Sequence, residues 1–170
     1  MINSILRYTA IFIVLILVQL LLFNNIQFSG FVNPYVYVMI ILLLPVTMPS
    51  WLLLIVSFMA GLIIDLFSGS PGMHASATLA AGFSRPFVLR NISPRDGYDS
   101  GAGLSMTAYG FRWFLLYTAT IVLIHHTVLF YMEVFRLTDF FRTLLRVILS
   151  ATVTTGFILL VESYRRQRQR

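Results

Sequence analysis

Ile5 to Phe23 is a long apolar run, and runs of this kind recur along the whole chain. A helix that crosses a bilayer needs about 20 predominantly apolar residues. The chain has 170 residues, of which 58% are hydrophobic and 11% charged, whereas a soluble domain carries roughly 25% charged residues. That balance leaves no room for a sizeable soluble domain beside the apolar runs. The expectation is a single all-α membrane domain over 1–170.

Six spans are predicted, over about 5–23, 35–48, 51–67, 73–89, 109–132 and 143–164. The second is short, and Pro45 and Pro49 rule out an undistorted helix through its end. Tyr35 and Tyr37 are read as interfacial aromatics of that span, and Trp51 as the anchor of the third. The fourth span is the least hydrophobic. Its Ala77, Ala81 and Gly82, with Gly61 on the span before it, are helix-packing positions, so it belongs in the bundle interior. The stretch from Arg90 to Met106 reads as an exposed loop, and Glu133 to Arg142 as a charged connection.

Arginine sets the orientation. All 12 basic residues are arginine, and most flank apolar runs. Arg7, the Arg90 to Met106 loop and the C-terminal tail all fall on one side of a six-span chain. The cytoplasmic side attracts arginine, so both termini are expected there. Arg85, Pro86, Arg165 and Arg166 are then inner-interface anchors. The tail is read either as a topology determinant or as a contact for anionic lipid. A net charge of +6 distributed this way is no nucleic-acid footprint. The N-terminal run is expected to be a retained helix, because Asn24-Asn25 follows it rather than a small-residue cleavage site. The absence of cysteine excludes disulfides, thiolate metal sites and a cysteine nucleophile.

Chemistry concentrates between Gly61 and Pro86, GLIIDLFSGSPGMHASATLAAGFSRP. An acid, an imidazole and an arginine in lipid-compatible sequence are costly, and each needs a reason. Asp65 lies about 21 Å along its helix from Trp51, and His125 and His126 about 20 Å beyond Arg112. With His74 at the start of the next helix, four ionisable groups converge on one depth near the outer face. Two readings follow. Asp65 locks the hairpin by pairing with His74 or with the free N–H groups that begin the fourth span. Alternatively, Asp65, His74 and one of His125 or His126 line an outward-facing pocket for a ligand or a proton. Gly69, Pro71 and Gly72 reverse the chain between two antiparallel helices. No metal or other cofactor is expected, since the ligand spacing is thin and no HExxH or GKS/GKT string occurs. No GxSxG string occurs either, so no catalytic residue is assigned.

The string GLIIDLFSGSPGMHASA, followed by Arg85-Pro86, resembles the MreD family of rod shape-determining proteins. That family shows a G-x-x-x-D segment, a short glycine turn often with proline, and a G-x-H-A start to the next helix. The matching positions are Gly61, Asp65, Gly69, Pro71, Gly72, His74 and Ala75. The upstream NNIQFSGFVNPYVYVMIILLLP, with Asn33-Pro34-Tyr35, is similar to members from the Bacteroidetes side of the family. The resemblance implies a multi-pass, non-enzymatic protein of the bacterial inner membrane, belonging to the cell-elongation machinery. Its implied partner is MreC, and through it MreB and a transglycosylase–transpeptidase pair that builds lateral peptidoglycan. The implied fold is similar to the substrate-binding component of energy-coupling-factor transporters. The long Arg90 to Met106 loop and the charged tail depart from many relatives.

Two functional expectations result. The first is a scaffold subunit of the elongation machinery that binds MreC. The second is a small-molecule or ion-binding transport component whose outer pocket lies near Asp65 and His74. An enzyme acting on lipid-linked precursors would need a polar catalytic cluster on several helices, for which the sequence gives only a weak signal.

Overall fold

The computed structural model describes residues 2–25, 31–99, 103–134 and 139–167. Among them the chain is all-helical, with no strand. The helices are α1 (Ile2–Leu21), α2 (Met39–Leu43), α3 (Ser50–Ser68), α4 (Met73–Asn91), α5 (Met106–Tyr109), α6 (Phe111–Val134) and α7 (Phe140–Gln167). Four stretches are long and apolar enough to cross a membrane: Leu6–Asn25, Ser50–Ser68, Phe111–Val134 and Phe140–Gln167. Large apolar side chains such as Leu17, Leu66, Phe141 and Leu160 point outward from them, as a lipid-facing surface requires.

α4 is the hub. It packs against α3 on one side and α6 on the other, and α6 packs in turn on α7. At 19 residues it measures about 28 Å, enough to cross, yet it is too polar to count with the four. Its buried face carries Ala75, Ala77, Ala81 and Gly82 beside His74, Thr78 and Arg85. In lipid, helices gain little from hiding apolar surface and associate mainly by close packing. Gly61 and Gly82 supply it. A Cβ added at Gly61 would lie 2.5 Å from Ala75 Cα, and one at Gly82 would lie 2.8 Å from Ser57 Cβ.

The segment expected as a second span differs from a spanning helix. Only Val36–Val38, a 3-10 turn, and α2 are helical. Leu44 is extended, at φ −59° and ψ 148°, because the ring of Pro45 disfavours helical geometry at the residue before it. Such backbone survives at membrane depth only where protein encloses it. Here it is enclosed: every residue from Val36 to Leu44 is buried. Tyr37 is therefore a core residue rather than an interfacial aromatic, and it is fully buried. Trp51, in contrast, stands exposed at the start of α3.

Arg85 requires a correction. It was expected to snorkel to the inner interface, but it is only 2% exposed. Its Nε donates to the Tyr117 hydroxyl at 2.8 Å, Nη1 to the Pro45 carbonyl at 3.4 Å, and Nη2 to the Leu44 carbonyl. The carbonyls that Pro45 and the end of α2 leave without helical partners need donors, and Arg85 reaches them before it can reach the surface. The neighbouring Pro86 is exposed within α4. Arg165 is half-buried, with Nε 3.4 Å from a carboxylate oxygen of the buried Glu162. Arg166 is likewise half-buried. Arg168 and Arg170 of the tail lie outside the described residues.

Most residues from Asn91 to Asp99 are exposed, as expected of a loop, but the stretch is tied down at several points. Tyr98 donates to the Leu89 carbonyl at 2.7 Å, Trp113 Nε1 to the Ile92 carbonyl at 2.9 Å, and Met106 N–H to Glu162 at 3.3 Å. Tyr98 packs edge-on against Tyr109 and Trp113, whose rings meet each other at a tilt, at this end of the bundle. Residues 100–102 of the loop, and 135–138 of the Glu133 to Arg142 connection, lie outside the described residues.

Candidate functional site at the hairpin end of the bundle

The α3–α4 turn is built from backbone needs. A helix leaves its last carbonyls and its first N–H groups unpaired. At the end of α3, Gly69 takes a left-handed φ of 64° and its N–H returns to the Asp65 carbonyl. Ser70 N–H shares that carbonyl at 3.3 Å. Gly72 is left-handed as well, at φ 83°, and launches α4. Both positions favour glycine for conformational reasons.

The Asp65 side chain serves the other helix. Its Oδ1 accepts from His74 N–H at 3.0 Å and from the Ser70 hydroxyl at 2.9 Å; its Oδ2 accepts from Ala75 N–H at 2.9 Å. One residue thus closes α3 through its backbone and opens α4 through its carboxylate. A negative group at a helix N-terminus also meets the positive end of the dipole. Asp65 is buried, and it does not line the adjacent cavity.

Behind the turn lies a chain of polar groups. The Tyr37 hydroxyl sits 3.0 Å from His74 Nδ1 and 2.8 Å from His125 Nε2. It has one proton to give, so it donates to one imidazole and accepts from the other. His125 Nδ1 is buried without a partner. A bare lone pair there is less costly than an orphaned N–H, so Nε2 carries the His125 proton. Tyr37 then donates to His74 Nδ1, which places the His74 proton on Nε2.

His126 belongs to a separate branch. Its Nδ1 faces the Val122 carbonyl at 2.8 Å and must hold the proton. Its Nε2 accepts from the Thr154 hydroxyl at 3.1 Å, and that oxygen accepts Tyr35 N–H at 3.1 Å. The Tyr35 ring packs against all three histidines. Gln19 completes the cluster: its Oε1 accepts Tyr37 N–H at 3.3 Å and its Nε2 donates to the Pro34 carbonyl at 3.2 Å. These bonds satisfy the irregular backbone that precedes α2.

A cavity of about 910 Å³ opens beside this cluster. The ends of α1, α3 and α6 surround it, and Asn24, Tyr35, Ser68, His74, Glu133 and Arg146 stand in its wall. Asn24 Nδ2 donates to Ser68 Oγ at 3.0 Å, joining the ends of α1 and α3. Arg146 pairs with Glu133 at 2.9 Å and lies 4.3 Å over the Phe130 ring. Of the four ionisable groups expected to converge near the outer face, from which the pocket reading took Asp65, His74 and one of His125 or His126, only His74 lines this cavity. His125 and His126 are fully buried behind it, and Asp65 is held by the turn. Among the described residues, no three His, Cys, Asp or Glu side chains come together as metal ligands.

Tyr37, Gln19 and Thr154 are the members that sequence reasoning missed. Gln19 inside the first apolar run was the available signal, because an amide at that depth requires partners. Comparison with protein-family models, with curated proteins and with solved structures finds no match.

Proposed function

We propose that this chain is a non-enzymatic scaffold subunit of the bacterial cell-elongation machinery, an inner-membrane protein of the MreD kind that binds MreC. In this reading the chain crosses the membrane six times, with 35–48 and α4 as the two interior crossings. The fold is then of the type found in the substrate-binding component of energy-coupling-factor transporters. Through MreC the subunit helps to position lateral peptidoglycan synthesis and so contributes to cell shape.

One observation carries the reading. The polar residues of the GxxxD–turn–GxHA segment are spent on structure: the Asp65 carboxylate receives two backbone N–H groups and a hydroxyl. Three of the roughly four acceptor positions of that carboxylate are taken, and a hairpin fixed in this way suits a binding surface. The test is purification from the native membrane with identification of co-eluting proteins. Recovery of MreC supports the scaffold. An intact preparation that never carries MreC, from cells whose shape is indifferent to Asp65→Ala and His74→Ala, overturns it.

The second reading is a small-molecule or ion-binding transport component. The cavity of about 910 Å³ with His74 in its wall favours it. It requires a defined solute held by the purified protein, and a transport defect in cavity variants whose abundance is normal.

A further inference from the structure

The opposite end of the bundle, beyond the Arg85 cluster, holds a second site. A cavity of about 340 Å³ lies between the start of α3 and the last turns of α4, with Arg85, Arg90, Ser50 and Ser93 in its wall. Among the described residues, no acidic side chain lines it. Arg85 is 98% buried by the complement of its 2% exposure, and its hydrogen-bond partners are two carbonyls and a hydroxyl, all neutral. Neither ion pair among the described residues involves it. A guanidinium has five N–H donors. Three are engaged, so two remain for an anion.

A buried cation without a counter-charge is costly in a membrane protein, and such residues pair with an anion or face a polar cavity. Arginine also matches phosphate by its planar fork. The cavity is therefore chemically an anion site. Arg90, exposed one turn further along α4, adds a second positive charge at its rim.

The form of the anion follows from what adjoins the cavity. An apolar groove of about 750 Å³ runs between the first half of α1 and the first half of α3. Met48 lines both spaces, and Leu44 and Pro45, whose carbonyls hold Arg85, stand in the wall of the groove. From Leu52 to Met59 the groove wall extends about 10 Å along α3, within the depth of one leaflet of a hydrocarbon core about 30 Å thick. A cationic pocket at the head of an apolar groove that runs along the helices suits an amphipathic anion and not a free one. We propose that this site binds an anionic phospholipid, its phosphate on Arg85 and Arg90 and its acyl chains in the groove between α1 and α3. The inference needs only that the protein resides in a membrane, and stands or falls apart from the partnership with MreC.

The test uses the full-length protein in a neutral detergent, with lipid retention read by native mass spectrometry and thermal stability read in parallel. Phosphatidylglycerol, phosphatidylcholine and inorganic phosphate alone are the three probes. Arg85 holds the fold together, so the informative variants are Arg90→Gln at the rim and Ile55→Trp, which fills the groove at an exposed position. Phosphatidylglycerol is expected to be retained and to raise Tm. Arg90→Gln should weaken retention about fivefold, the loss of one arginine at an anionic headgroup. Ile55→Trp should weaken retention with Tm of the lipid-free protein unchanged. Equal retention of phosphatidylcholine, an equal effect of inorganic phosphate alone, or retention unaffected by both variants would overturn the proposal.

Discussion

Asp65 and Ala75 are ten positions apart in sequence, and the Oδ2 of the first accepts the backbone N–H of the second at 2.9 Å. Without that carboxylate, two buried N–H groups at the start of α4 would face no acceptor. Asp65→Ala is expected to destabilise the protein by about 1–3 kcal/mol, the penalty for buried donors left unsatisfied. Asp65→Asn keeps one carbonyl oxygen and should lose roughly half as much. Thermal unfolding of both variants in detergent checks the order. Equal Tm for wild type and Asp65→Ala would show that the cap does not hold the hairpin.

The close approach of α3 and α4 makes a second, steric prediction. Gly61→Ala would set a methyl 2.5 Å from Ala75 Cα, and backbone cannot move aside as a flexible side chain can. A cost of about 1–3 kcal/mol is expected from overpacking. Gly156→Ala is the control. Gly156 lies within α7, with nothing within 4 Å of an added Cβ. There the helix propensity of alanine should raise stability by about 0.5–1 kcal/mol. Opposite signs in the two Tm shifts would bear out the packing account.

Tyr37→Phe keeps the ring and removes the hydroxyl that His74 and His125 share. It leaves their facing nitrogens buried without a partner, at an expected cost of about 1–2 kcal/mol. A double-mutant cycle with His125→Phe isolates the bond. In membrane proteins such couplings average about 0.6 kcal/mol, so a value near that is expected. Full additivity would mean that the hydroxyl and His125 do not interact.

How much of this was legible in the sequence depends on distance along the chain. The Asp65 lock is local: an acid, a glycine turn and a helix start within ten residues describe their own geometry. The Gly61 and Gly82 contacts were legible too, because small residues in an apolar helix have few other uses. The Tyr37–His74–His125 chain spans 88 positions, from Tyr37 to His125, and no periodicity encodes it. Its members came together because the 35–44 segment passes through the bundle centre, while its aromatic residues read as interfacial. Arg85 was misread for the same reason. Its partners, the carbonyls of Leu44 and Pro45, are 41 and 40 positions away, and their need for a donor exists only once that segment is buried.

Glu133 separates the two functional readings, because it lines the hairpin-end cavity without taking part in the hairpin lock. Its pair with Arg146 is partly exposed, with side-chain exposures of 40% and 17%. Pairs of this kind contribute at most about 1 kcal/mol, so Glu133→Gln should leave folding and abundance almost unchanged. If the protein acts as a scaffold, MreC recovery and rod shape should also be unchanged. If the cavity holds a solute, losing the carboxylate at its wall alters the charge the solute meets, and uptake should fall at normal protein level. Uptake, cell shape and protein abundance measured together in the Glu133→Gln strain decide the matter. Rods with unchanged uptake at wild-type abundance favour the scaffold, and a transport defect at wild-type abundance favours the cavity.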